Sequence, residues 1–241
     1  MQRQVIFNGR KKSVYSTDDP SRVVVEFKDV TTAYFGIKMA KISGKGRLNN
    51  EISSLLMSYL ERYGIHTAFV EKISDTEQLY RSVEPIPIDI VLHNVFAGTL
   101  AKRLGIEEGR EIKNVIVDVN LDSDALGNPM INDDQALAMG IVSAEELTFM
   151  KDVIRKANDI LKPLFARAGI ILVNFTLKFG RDGNGRIFIC DEITPDTCRL
   201  WDSKTKEHLD KDRFCHDLGN VAETYADVLN RLKVVLNAEK R

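Results

Sequence analysis

Cysteine, histidine and tryptophan are scarce in this 241-residue chain, with three, four and one copies respectively. Cys190, Cys198 and Cys215 form no C-x-x-C pair and are odd in number, so neither a disulfide framework nor a cysteine-based zinc site is indicated. They read as packing thiols in a reduced, cytoplasmic protein. His66, His93, His208 and His216 show no His-x-x-x-His spacing, which argues against a zinc hydrolase. A Gly-x-Ser-x-Gly elbow, a Walker A loop and a Gly-x-Gly-x-x-Gly turn are all missing. No apolar run approaches the roughly 20 residues of a membrane span, and Met1–Asn8 has no signal-like apolar core. Charge of one sign is also lacking. Lys and Arg total 34 against 35 Asp and Glu, for a net charge of -1, so no general attraction to nucleic acid or to an acidic membrane surface is expected. Any anion site must be local.

What is present starts with Leu172–Phe179, where Val173, Phe175, Leu177 and Phe179 alternate with Asn174, Thr176 and Lys178. A two-residue period predicts a strand with one buried face. The turn Arg181-Asp-Gly-Asn-Gly185 and the β-rich run after it complete an antiparallel hairpin. That hairpin delivers Asp191 and Glu192, and the chain then turns through Thr194-Pro195-Asp196 toward Arg199 and Trp201. Carboxylates, a guanidinium and an indole so closely spaced suit a phosphate and metal site.

Near the start, Asn8-Gly9-Arg10-Lys11-Lys12 predicts a tight basic turn between two short strands, able to bring backbone and cations to a polyphosphate. Val23–Lys28 predicts a strand and Asp29–Gly36 a loop, after which Gly44-Lys-Gly46 opens a helix over about Arg47–Tyr63. His66–Lys72 and Glu77–Ser82 read as strands. Val83-Glu-Pro-Ile-Pro-Ile88 reads as a linker, because two prolines disfavour helix and sheet interior. Beyond it, Asp89–Asn94 and Val115–Leu121 predict strands. Thr99 lies near the start of a short helix, where anions bind well or the hydroxyl merely caps. Ser143 with Glu146 predicts a capping box for a helix over about Ala144–Ala168, and Asn220–Lys240 forms the last helix. The expected architecture is α+β in two lobes, residues 1–85 as a nucleotide-binding lobe, mostly antiparallel sheet, and residues 86–241 as an α+β lobe carrying the substrate and acidic site. The cleft between them is where a ligand would sit.

Five motifs give this pattern a family. Gly9 with Lys12 and Tyr15-Ser-Thr17, Gly46-x-Leu-Asn-Asn-Glu51, Asn94-x-x-Ala-Gly-Thr-Leu-Ala-Lys-Arg-Leu-Gly-Ile-Glu-Glu-Gly109, Asp191–Asp202 and Leu209-Asp-Lys-Asp-Arg-Phe214 resemble SAICAR synthetase, in family order and at family distances. The resemblance implies a fold related to ATP-grasp enzymes, ATP and magnesium between the lobes, and a homodimer. It also implies a ligase that phosphorylates the carboxylate of carboxyaminoimidazole ribotide and joins it to the amine of aspartate, in purine biosynthesis. Carried over, Gly9, Arg10 and Lys12 would touch the ATP phosphates, and Asp191 would hold magnesium. Thr99 and Arg199 would hold the ribotide phosphate, and Asp196 and Lys211 would serve the substrate. The chain departs from the family pattern at Asn174, Thr176 and Lys178, where aspartate, lysine and glutamate are usual, and also at Val30, Phe35, His93, Phe96, Asp122, Asn128 and Cys215. Lys178 is expected to pair with Asp191 and take the metal's place. The alternative reading is a catalytically silent paralogue that binds a nucleotide or sugar phosphate in a regulatory role.

Overall fold

The structure, a computed structural model, describes residues 3–33 and 36–239. Phe35 and Lys240, named above, lie outside them. The chain opens with β1 (Val5–Asn8), β2 (Lys12–Ser16) and β3 (Arg22–Phe27). Next come β4 (Val30–Ala33) and β5 (Lys38–Lys41), which pair with each other, and helix α1 (Lys45–Arg62). Strands β6 (Phe69–Lys72) and β7 (Glu77–Arg81) then close a five-stranded antiparallel sheet in the order β1-β2-β3-β7-β6. The segment expected to be a loop after β3 therefore contains a strand. Its short Val-Thr-Thr-Ala run carries no alternation strong enough to announce itself, and β5 supplies the partner.

A second sheet begins at once. β8 (Glu84–Val95), α2 (Gly98–Leu104), β9 (Glu111–Leu121), β10 (Met130–Ile131), α3 (Asp133–Ala138) and α4 (Ala144–Arg167) lead to β11 (Ile170–Arg181), β12 (Ile187–Ile189) and β13 (Cys198–Asp202). The order is β10-β9-β8-β11-β12, with β13 also pairing β11. The short helix α5 (Asp212–Cys215) and the final α6 (Val221–Ala238) complete the chain.

The linker expected at 83–88 is instead the first half of β8. Pro85 and Pro87 are exposed while Ile86 and Ile88 are buried, so the strand alternation runs straight through them. The ladder to β9 begins only at Ile88, which leaves both prolines on a stretch that is still an edge on that flank, where a missing N–H is tolerated.

β11 is central and shows why the sheet has two characters. Leu172, Phe175, Leu177 and Phe179 are buried in the main core, whereas Asn174, Thr176 and Lys178 on the other face are partly open. Val173, expected beside Phe175, is buried instead in a separate cluster with Val95, Ala97 and Trp201, because the ladder to β13 slips between Leu172 and Asn174. The apolar face packs on α4, α4 packs on α6, and α6 packs on α1, which covers the first sheet. One core cluster therefore runs through both sheets. α4 starts where expected: Ser143 Oγ accepts from the Glu146 amide and the Glu146 carboxylate accepts from the Ser143 amide. At α1 the amides of Gly44 and Gly46 donate to the Asp29 carboxylate instead. Gly46 is required there, since a Cβ would lie 2.5 Å from the Phe27 carbonyl oxygen. The sheets are tied edge to edge by the Ala68 amide donating to the Ile189 carbonyl at 2.7 Å, two residues before Asp191.

Candidate active site

The polar face of β11 looks into a cavity of about 870 Å³ between the sheets. From the first sheet the β1–β2 turn contributes Gly9, Arg10, Lys11 and Lys12; from the second come Asp89, Asp122, Thr176, Lys178, Asp191 and Glu192. The turn is held by Lys28, whose ammonium donates to Asn8 Oδ1 at 2.6 Å and to the Gly9 carbonyl at 2.9 Å.

Lys12 spans the cleft. Its ammonium donates to Asp191 and lies 3.4 Å from Glu192 Oε1. Burial alone would lower the lysine pKa, but Asp191 and Glu192 beside it raise it well above its ordinary value. Burial would likewise raise Asp191, yet the Lys12 charge holds its carboxyl below the usual range. Glu192 has only 2% of its side chain exposed, and burial lifts its pKa.

Asp196 and Lys211 also line the cavity. Asp196 is locked from behind: the Lys45 ammonium and, at 3.0 Å, the Asn49 amide donate to Oδ2, and the Tyr225 hydroxyl donates to Oδ1 at 2.7 Å. Lys45 and Asp196 are each 1% exposed in their side chains. Sequence reasoning took Gly44-Lys-Gly46 only for a helix start and missed Lys45; a lysine between two glycines at a helix entrance was the available signal. Burial, followed by the nearby Lys11 charge, lowers the pKa of Lys211.

Arg199 and Thr99 lie outside this cavity's lining. Arg199 donates through Nε to Asp212 Oδ2 at 2.7 Å and packs on Gly98, where a Cβ would meet its Nη1 at 2.4 Å. Thr99 is exposed in the first turn of α2, beside that glycine. The structure thus brings six of the eight expected site residues to the cavity and sets these two together next to it.

Lys178 corrects the sequence reading. Its ammonium lies 2.5 Å from Asp122 Oδ2 and 3.2 Å from Asp89 Oδ1, while Asp191 is taken by Lys12. Register explains it, because Lys178 stands directly opposite Asp89 across the β11–β8 ladder. Asp89 and Asp122 were not expected as its partners, since nothing local in the sequence pairs β8 with β11.

Magnesium held with a nucleotide commonly takes one or two carboxylates, the rest of its shell being phosphate and water. Asp191 and Glu192 meet that requirement, and Glu192 Oε2 is buried with no hydrogen-bond partner. Among the described residues, the single converging group of three metal-ligating side chains is His208, Asp210 and Asp212. There both Asp210 oxygens already accept backbone amides, from Leu200 at 2.6 Å and Asp212 at 2.7 Å, and Arg199 holds Asp212. That cluster is a hydrogen-bonded turn.

Two antiparallel sheets facing across a cleft of paired cations and carboxylates define an α+β protein suited to a polyphosphate with its counter-ions. The family model for SAICAR synthetase matches residues 5–232. A phosphoribosylaminoimidazole-succinocarboxamide synthase of Clostridium acetobutylicum is 48% identical over 230 residues, covering 95% of this chain and 97% of the relative. The crystal structure of the synthase of that name from Ehrlichia chaffeensis superposes with a TM-score of 0.93 at 40% identity, over 95% of this chain and 98% of that one. A SAICAR synthetase in complex with ADP gives a TM-score of 0.91 at 41% identity, over 95% and 97% of the two chains. The chain belongs to the SAICAR synthetase family. None of these relatives supports the alternative of a silent paralogue.

Proposed function

We propose that this protein is an ATP-dependent ligase that joins the amine of aspartate to the carboxylate of carboxyaminoimidazole ribotide. The supporting observation is the Lys12 bridge to Asp191 and Glu192 across the cleft, in a chain 48% identical to a named synthase. In the reaction a carboxylate oxygen attacks the γ-phosphorus of ATP and ADP departs. The aspartate amine then attacks the resulting acyl phosphate, and inorganic phosphate leaves as the amine gives up a proton. Gly9, Arg10 and Lys12 face the polyphosphate in this reading, with cations offsetting charge on the transferring group. Lys12 must exchange Asp191 for phosphate as the nucleotide enters, which frees both acids. Asp191 and Glu192 would hold magnesium, which, when bound, draws charge from the phosphoryl oxygens. Arg199 and Thr99, adjacent through Gly98, would take the ribotide phosphate. Asp196 and Lys211 would orient the substrate from the cavity wall.

The same proposal includes a nucleotide lobe over residues 1–85, a substrate lobe over 86–241, a homodimer and a cytoplasmic setting. Among the described residues no helix is long and apolar enough to cross a membrane. The deciding experiment follows ADP release from ATP and magnesium. Turnover should require both carboxyaminoimidazole ribotide and aspartate; release that ignores either compound rules the reading out.

A further inference from the structure

Cations in this cleft divide between two tasks. Lys12 reaches over from the first sheet and covers Asp191. Lys178 belongs to the second sheet and lies among that sheet's own acids. It projects from the polar face of β11, its register partner Asp89 is on the adjacent β8, and Asp122 follows the end of β9. All three side chains line the cavity. Asp89 Oδ1 is buried and has no hydrogen-bond partner, so the ammonium 3.2 Å away is what offsets its charge. Asp122 is fixed at its backbone, its amide donating to the Pro87 carbonyl at 3.0 Å.

Carboxylates from two neighbouring elements thus converge on one point at the wall of a polar cavity. Hard divalent cations settle at such a point, with phosphate oxygens and water completing the shell. Here a tethered monovalent cation already fills it. A dication brought close to that ammonium is repelled, and the acids that would attract it are neutralised.

We propose that Lys178 is a built-in countercharge that keeps a divalent cation off the Asp89–Asp122 side of the cleft, so that only the Asp191–Glu192 side takes a metal ion with the nucleotide. The inference rests on the nucleotide reading above and adds to it a specificity role for Lys178, exercised through charge. An ammonium fixed to the chain is always present at these acids, weakens the binding of a competing dication by a constant factor and needs no second ion to be recruited. It also gives the cleft two unlike walls, one metal-binding and one not.

Mn²⁺ binding tests this, with the free ion counted by electron paramagnetic resonance as Mn²⁺ is titrated into the protein with and without saturating ADP. The wild type with ADP should take up one cleft Mn²⁺ per chain. Lys178→Gln should take up one more, and Lys178→Gln combined with Asp122→Asn should lose the extra ion. Lys178→Arg, which keeps the charge, should match the wild type. Two cleft ions in the wild type would overturn the proposal without recourse to any variant. So would equal counts in the wild type and in folded Lys178→Gln. ADP binding is read in the same samples by calorimetry. If ADP fails to bind, the nucleotide reading falls, while the counts with Mn²⁺ alone still decide the role of Lys178.

Discussion

Replacing Lys45 by methionine removes one charge from a pair in which both side chains are 1% exposed. The carboxylate left behind keeps the Asn49 amide and the Tyr225 hydroxyl, neutral donors that offset part of its charge. Breaking a buried pair from one side costs about 3–5 kcal/mol, because the surviving ion stays desolvated. A loss of about 4 kcal/mol at neutral pH is therefore expected, a large share of the total stability of a typical domain. The sign with pH follows from Asp196. Burial alone would raise its pKa, but Lys45 overrides this and holds the carboxyl far below the usual range. A folded-state pKa that is depressed contributes stability above the unfolded value, near pH 4, and that stability is lost as pH falls through the folded value. Without Lys45 the depression disappears. The deficit of the variant should be at full size near pH 7 and still close to it near about pH 4, and should shrink only as pH falls further toward the folded value, where the wild-type carboxyl also protonates. Urea unfolding followed by Trp201 fluorescence measures both. Lys45→Met with Asp196→Asn removes both charges, keeps an acceptor for Tyr225, and should recover most of the loss. A deficit below about 1 kcal/mol at neutral pH, or one that has already vanished by about pH 4, would refute the reasoning.

Other outcomes are equally specific. Lys12→Met leaves Asp191 and Glu192 without their shared cation, so ADP affinity measured by calorimetry should fall at least about tenfold, and stability should fall more at pH 8 than at pH 5. An unchanged affinity would remove Lys12 from the nucleotide site. Gly46→Ala would press a methyl group against the Phe27 carbonyl and force α1 away from β3, costing about 1–3 kcal/mol in urea unfolding. Asp210, pushed up to about 7 by burial and then by Asp212, should show a carboxyl-carbon NMR titration near that pH. Because its folded pKa is raised, the stability it contributes is present at acid pH and lost as pH rises through about 7, where its buried carboxyl ionises.

Elements whose evidence is local were legible beforehand. β11 declares itself by alternation, α4 by its capping box, and the β11–β12 hairpin by a turn of residues that accept positive φ. The prolines at 85 and 87 misled because their cost depends on whether a neighbouring strand needs their N–H, and β9 has not yet joined β8 there. β13 was hidden for a related reason: Cys198–Asp202 becomes a strand by lying against β11, which its own residues do not announce. Lys178 was rightly placed on the polar face of β11 and wrongly given Asp191, because the sequence orders residues along strands and leaves open which strands are neighbours.

By itself, the sequence determined the faces: which side of β11 is buried, where helices begin, and which motif residues the chain carries to its family. Those depend on backbone periodicity and on neighbours a few residues away. Only the tertiary structure decided which cation meets which acid. Lys12 with Asp191, Lys45 with Asp196 and Lys178 with Asp122 are separated by 179, 151 and 56 residues along the chain. Coulomb attraction acts through space and favours whichever opposite charge the fold brings within a few ångströms, so sheet register and the docking of the two sheets set the partners.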